Sequence, residues 1–182
     1  DGYYLERLLR AKGHPVVGVA RRGAWRRVAL TDFDAVASVI KEEAPALVFH
    51  LAAASTTRHA ARFVNHDTNA TGTLHLLEAV RRHAPSARVF IPGSGLQFHN
   101  DGRPISEREP FEATSPYALA RIHACHAARY YRGLGVRTRI GYLFHHESPR
   151  RQAGHVSQLV ASAVRRCAAG DPAPLELGEL SV

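Results

Sequence analysis

Apolar positions along the chain switch between two periods, and the switches mark out the elements. Tyr4, Leu5, Leu8 and Leu9 recur at helical spacing between Gly2 and Lys12, and Gly13-His14-Pro15 ends that helix. Residues 16–20 are a short apolar run of strand character, followed by a polar, arginine-rich stretch. Thr31 or Asp32 then caps a helix in which Phe33, Val36, Val39 and Ile40 share a face, and Pro45 stops it. Residues 46–51 read as a buried strand. A long helix is predicted over 65–83, with Leu74, Leu77 and Val80 inward. A strand over 88–91 is expected to stop at Pro92-Gly93, and 93–115 reads as a long loop, a setting in which function often lies. A helix over 116–132 with Pro116 in its first turn, a strand over 136–144, a helix over 156–168 and a strand over 175–177 complete the pattern.

Strands that are apolar throughout, alternating with amphipathic helices, predict an α/β fold: a doubly wound parallel sheet with helices on both faces. Composition narrows the alternatives. Hydrophobic residues are 45% and charged residues 22%, which excludes disorder, collagen and coiled coil as the main architecture. No apolar run approaches the roughly 18 residues of a membrane span. Two cysteines, Cys125 and Cys167, give no disulfide framework, and the opening Asp1-Gly2-Tyr3-Tyr4 has no signal-peptide pattern, so the expected setting is cytoplasmic. Methionine is absent, which suggests an internal piece of a longer protein.

The net charge is +8, and all but Lys12 and Lys41 of the 24 basic side chains are arginine, scattered as pairs. No recognition motif or aromatic interleaving accompanies them, so the expectation is attraction to small anions such as nucleotide phosphates, and no nucleic acid. His123-Ala124-Cys125-His126 falls short of the three or four convergent ligands a metal requires, and no metal is expected.

The chemistry-bearing positions are Tyr117 and Arg121, four apart on one helical face, and Ser94, just past a strand where open α/β sheets build their sites. A cation beside a tyrosine suits the phenol to proton transfer. On spacing alone, a structural Tyr with a helix-surface Arg is the commoner case, because such pairs are frequent.

Several segments, in collinear order, carry a resemblance. His50-Leu51-Ala52-Ala53 resembles an H-L-A-A strand end, and Asn69 to Ala79 resembles N-x-x-G-T-x-x-L-L-E-A. Ser115-Pro116-Tyr117 with Arg121 resembles S-P-Y-x-x-x-K, and residues 142–151 resemble a segment containing L-F-N-H-E-S-P-R-R. Together they resemble the extended short-chain dehydrogenase/reductases, the NAD-dependent epimerase/dehydratase family, nearest its GDP-mannose 4,6-dehydratase branch.

The resemblance implies a Rossmann-type NAD(P)-binding domain over 1–144 and the start of a substrate-binding region over 145–182, both incomplete. Gly2 would be the third glycine of G-x-x-G-x-x-G, so the first strand would precede Asp1. The implied activity is hydride transfer at C4 of a GDP-mannose-like nucleoside diphosphate sugar. Tyr117 would be the acid/base, Ser94 would bind the same oxygen, and Arg121 would stand where the family has lysine. Gly2, Arg21, Arg22, Leu51, Ala52, Ala53, Tyr117 and Arg121 would hold the dinucleotide. Arg21 and Arg22 follow the second strand with no acidic residue there, which favours NADP over NAD. Ser94, His145, His146, Glu147, Arg150 and Arg151 would meet the substrate, and Asn69 would brace the site. Pairing of copies through the helices near 65–83 and 116–132 is also implied.

Four departures accompany the match. Arg121 replaces the lysine, Leu96 replaces the glutamate that serves as the dehydratase base, His145 replaces an asparagine, and Ala29 stands where an aspartate is frequent. Glu107, Glu109 and Glu112 are candidates to replace the missing base. The departures keep open a non-catalytic nucleotide-binding member, or an epimerase or reductase of the same family.

Overall fold

Asp32 begins the best-defined packing unit, its carboxylate accepting from the Ala35 amide at 3.0 Å to cap a helix over Phe33–Glu43. The structure, a computed structural model, describes residues 1–23, 25–171 and 173–177. In chain order the main elements are α1 (Gly2–Ala11), β1 (Val19–Ala20), β2 (Arg26–Arg27), α2 (Phe33–Glu43), β3 (Leu47–Phe49), α3 (Arg62–Asn65), α4 (Gly72–His83), β4 (Arg88–Ser94), α5 (Pro116–Gly133), β5 (Arg137–Leu143) and α6 (Val156–Ala168). The described chain forms two compact units, 1–144 and 145–182.

In the first unit every strand pairing is parallel, in two separate sheets, β1-β2 and β3-β4-β5. The expected α/β class with a parallel sheet therefore holds. Val36, Ala37, Val39 and Ile40 of α2 bury against α4, whose Leu77, Ala79 and Val80 are fully enclosed. Val89 and Ile91 of β4, and Ala127, Ala128 and Tyr131 of α5, complete the core. Ser115 caps α5 through the Ala118 amide at 3.1 Å, with Pro116 at the first helical position.

Several details depart from the sequence expectation. Only Val19 and Ala20 of the 16–20 run pair, and their partner is the polar pair Arg26-Arg27. Arg26 is drawn there by Glu42 and Glu43 of α2, at 2.7 and 3.3 Å. The helix expected from residue 65 begins at Arg62 and passes through a π-helical stretch, His66–Thr71, before α4. β4 does not stop at Pro92 but runs to Ser94 alongside β5. Its Arg88 amide and Phe90 carbonyl bond the β3 side, and Pro92 comes next on that side, where β3 has ended. Its missing N–H therefore costs no ladder bond.

α1 buries none of its side chains, and Tyr4, Leu8, Val19, Leu47 and Phe49 lie open on α1 and along the outer edges of β1 and β3. No strand of the described residues joins these two edges.

The second unit centres on α6. Glu147 accepts from the Ser157 hydroxyl at 2.8 Å, and Gln158 donates to the Ser148 carbonyl at 3.1 Å, tying the 145–151 segment to the helix start. Residues 175–177, expected as a strand, pair with none of the described residues. Without a ladder partner, an apolar Leu-Glu-Leu alternation has nothing to make it a strand.

Leu77 is fully buried at the α2–α4–β4 junction, whereas Leu119 on α5 is more than half exposed. Leu77→Ala is expected to lower the unfolding free energy by about 2–5 kcal/mol and Leu119→Ala by less than about 0.5 kcal/mol, measured by urea titration.

Candidate active site

The C-terminal ends of β3 and β4 and the first turns of α5 converge on Arg121. Its guanidinium donates to the Tyr117 hydroxyl at 3.2 Å and to the Pro92 carbonyl at 3.0 Å. Arg121 is 5% exposed, and among the described residues no carboxylate pairs with it. A guanidinium out of water without a counter-ion is costly, so its hydrogen bonds must be good ones. They fix α5 to the end of β4, with Ser94 two residues beyond the bonded carbonyl.

Ser94 is buried and ends the strand by capping a short 3-10 turn, Gly95–Gln97. Its hydroxyl oxygen accepts from the Leu96 amide at 3.2 Å, and the Gln97 side chain accepts from the Ser94 amide at 2.8 Å. This is a capping box, and the S-x-x-Q spacing was available in the sequence to announce it. Gln97 also donates to the Cys125 sulfur at 3.2 Å, and burial pushes the Cys125 thiol up.

His50, at the end of β3, was quoted in the H-L-A-A match but given no role; the structure places it 3.0 Å from the Thr73 hydroxyl. That hydroxyl donates to the Asn69 carbonyl at 2.6 Å, so it accepts from a protonated His50 Nε2, which assigns the tautomer. Burial, reinforced by the Arg121 charge, lowers the His50 pKa to about 4. Asn69 and Asn65 are fully buried. Asn69 makes paired bonds to the Ala54 amide and carbonyl at 3.0 and 2.8 Å and donates to Asn65 at 3.1 Å. Asn65 donates to Thr56 O at 2.8 Å. The π-helical stretch carries this clamp on the loop after β3, consistent with the tendency of π-bulges to occur at functional sites.

Leu51, Ala52 and Ala53 follow β3 in that clamped loop, and Gly2 opens α1 beside them, where a Cβ would sit 4.0 Å from Leu51 Cδ1. Arg21 and Arg22 lie exposed in the bend after β1. The other predicted residues, His145, His146, Glu147, Arg150 and Arg151, belong to the second unit. His145, His146, Glu147 and Arg150 are exposed, and Arg151 stands 3.8 Å from Glu147. Leu96 is 44% exposed. Glu112 pairs with His99 at 2.9 Å, Glu109 receives the Ser106 hydroxyl at 3.5 Å, and Glu107 is exposed. No group of three or more metal-ligating side chains occurs among the described residues.

The sequence profile of the NAD dependent epimerase/dehydratase family matches residues 1–182. The chain belongs to that family. Its similarity to GDP-mannose 4,6 dehydratase 2 of Arabidopsis thaliana is 31% identity over 210 residues, covering 99% of this chain and 56% of the relative. GDP-mannose 4,6-dehydratase of Yersinia enterocolitica is 30% identical over 208 residues, with 99% and 56% covered. The UDP-glucose 4-epimerase of Thermus thermophilus, solved with NAD, superposes with a TM-score of 0.75 at 22% identity, covering 94% of this chain and 60% of that one. The chain spans a little over half the length of the curated relatives it matches. In this epimerase/dehydratase setting the parallel strands and the Tyr117–Arg121 pair occupy a Rossmann-like domain.

His50 is held neutral by burial, so its folded pKa lies below that of the unfolded chain. The unfolded state takes up the extra proton as pH falls, and stability present above about pH 6.5 is lost on the way to about pH 4. The full loss amounts to about 3 kcal/mol. Urea titrations across that range are expected to show this slope, and His50→Gln is expected to flatten it.

Proposed function

We propose that this chain carries the dinucleotide-binding and proton-transfer machinery of an enzyme that oxidises and reduces C4 of a nucleoside diphosphate sugar, with NADP as cofactor. One observation supports this above the others: the Tyr117 hydroxyl is bonded to a buried guanidinium that also grips the strand leading to Ser94.

The residues suit a dinucleotide. Gly2 opens a ten-residue helix with no side chain between its backbone and Leu51, and an anion is favoured at such a terminus. Arg121 adds a buried cation lacking a carboxylate partner among the described residues. Gly2 and the Leu51–Ala53 backbone would hold the dinucleotide, with Arg121 near its nicotinamide half. Arg21 and Arg22 would meet a 2′-phosphate. Bound there, the nicotinamide supplies the hydride acceptor. Tyr117, as the phenolate, takes the proton of the C4 hydroxyl and becomes the phenol, and Arg121, already donating to that oxygen, stabilises the phenolate's negative charge beforehand. Ser94 donates to the same substrate oxygen.

Water loss across C5–C6 requires a further base. Leu96 offers none, and the structure occupies Glu112 with His99. These observations favour a second reading, chemistry confined to C4, as in an epimerase or ketone reductase. His145, His146, Glu147, Arg150 and Arg151 belong to the substrate side of the proposal, on a GDP-mannose-like ligand. A homo-oligomer with copies meeting at exposed Phe63, Leu119 and Tyr130 belongs to it too, and sedimentation of the intact protein tests it. The setting proposed is cytoplasmic; no described helix is long and apolar enough to cross a membrane.

The intact protein that carries this chain is expected to reduce NADP⁺ or exchange the C4 hydrogen with GDP-mannose or a related nucleotide sugar, and Tyr117→Phe is expected to cost at least about a hundredfold in kcat. Mass spectrometry of the product separates the readings: loss of one water marks a dehydratase, and an unchanged mass with inverted C4 an epimerase. Failure to turn over any of a panel of nucleotide sugars, with NADP⁺ bound, would leave only the binding-protein alternative. Replacing Arg21 and Arg22 together by alanine is expected to weaken NADP⁺ about tenfold or more while leaving NAD⁺ within about twofold, by calorimetry.

A further inference from the structure

Gln97 is fully buried, although its neighbour Leu96 stands nearly half exposed in the same short turn. A buried carboxamide is tolerated only when both ends are bonded. Both are: the oxygen accepts from the Ser94 amide at 2.8 Å, and the nitrogen donates to Cys125 Sγ at 3.2 Å. Gly93 leaves room for it, since a Cβ there would come within 3.1 Å of the Gln97 oxygen. The Gln97 carbonyl in turn accepts from the Glu112 amide at 2.9 Å, which anchors the turn to the far side of the loop.

These bonds tie Ser94 to α5 twice. Arg121 holds the Pro92 carbonyl, just before Ser94, and Cys125, one helical turn after Arg121, holds Gln97 and through it the Ser94 amide. The Ser94 hydroxyl oxygen accepts from the Leu96 amide at 3.2 Å, which leaves its own proton to be donated outward. A preset donor is what an oxygen gaining negative charge needs.

We infer that Gln97 is a positioning residue for Ser94: anchored on Cys125 of α5, its carboxamide holds the Ser94 amide so that the Ser94 hydroxyl stays a directed donor, in register with the Tyr117–Arg121 pair. The inference rests on the reading above, in which Ser94 and Tyr117 serve one substrate oxygen.

Gln97→Met keeps the length and burial of the side chain and removes both polar atoms, whereas Gln97→Glu keeps an oxygen opposite the Ser94 amide. In the intact protein, assayed with a nucleotide sugar and NADP⁺, Gln97→Met is expected to lower kcat about tenfold to a hundredfold with KM changed less than about threefold. Gln97→Glu is expected to recover most of that loss. In a Ser94→Ala background, Gln97→Met is expected to cost less than about a further twofold, because the residue it positions is gone. Equal losses in both backgrounds, or an unchanged kcat in folded Gln97→Met, would overturn the inference. Amide hydrogen exchange gives a readout independent of turnover: Ser94 exchange should quicken in Gln97→Met and slow again in Gln97→Glu, and protection unaltered by Gln97→Met would also overturn it. A wild-type protein without turnover would count against the oxidoreductase reading, while the exchange comparison still decides the clamp.

Discussion

The site depends on burying one cation. Arg121 is enclosed beneath the end of β4 with no carboxylate partner among the described residues, so its two hydrogen bonds carry its stability. Those bonds need two fixed acceptors about one guanidinium apart, the Tyr117 hydroxyl and the Pro92 carbonyl. A lysine, with a single nitrogen, would present a point charge there; the planar fork of arginine links helix to strand. The same charge acts on His50, where it adds to burial in keeping the ring neutral. Proline at 92 is part of this arrangement. The strand loses no ladder bond through it, and its carbonyl is available to the guanidinium.

The opposite wall is built by amides and not by charge. Asn65, at the end of α3, and Asn69, in the π-helical stretch that follows, replace the strand partners that the loop after β3 lacks. Asn69 offers an acceptor and a donor to the Ala54 amide and carbonyl, as a neighbouring strand would. Thr73 and His50 extend the chain of bonds to the end of β3. Each of these buried polar groups is bonded, and such a network is rigid because breaking any member strands another in a region without water. Full burial also removes Asn69 from use as the glycosylation acceptor that Asn69-Ala70-Thr71 spells.

The long helices were legible because their caps and apolar faces agree: Asp32, Ser115 and Pro116 stand where the bonds require them, and α6 begins and ends as its pattern predicts. The short strands were not. Arg26-Arg27 is a strand because β1 and two glutamates of α2 hold it, neither of which is local in sequence. Pro92 looked like a stop because proline usually is one; it continues β4 because that side of the strand has no partner to lose. The Tyr117–Arg121 pair was legible from its spacing, but the acceptor that fixes its orientation is a backbone carbonyl and leaves no trace in composition. Gln97 was announced only by S-x-x-Q, and in a stretch that read as loop.

Part of the chain's basic character is balanced locally. Arg10 meets Glu6, Arg26 meets Glu42 and Glu43, Arg81 and Arg82 share Glu78, Arg103 meets Asp101 and Arg166 meets Asp171. Exposed pairs of this kind add little stability, but each withdraws an arginine from long-range attraction. Glu78 shows the strength of the local balance, with its two arginines holding its pKa near 2. Arg21 and Arg22 lie exposed, whereas Arg121 is buried with no carboxylate partner among the described residues. The first two are solvated and cost nothing to leave open; the third is buried and does. Arg121 is the one of the three whose charge must be compensated inside the protein, and its bonds to the Tyr117 hydroxyl and the Pro92 carbonyl are the compensation, which is why helix and strand end cannot shift independently there.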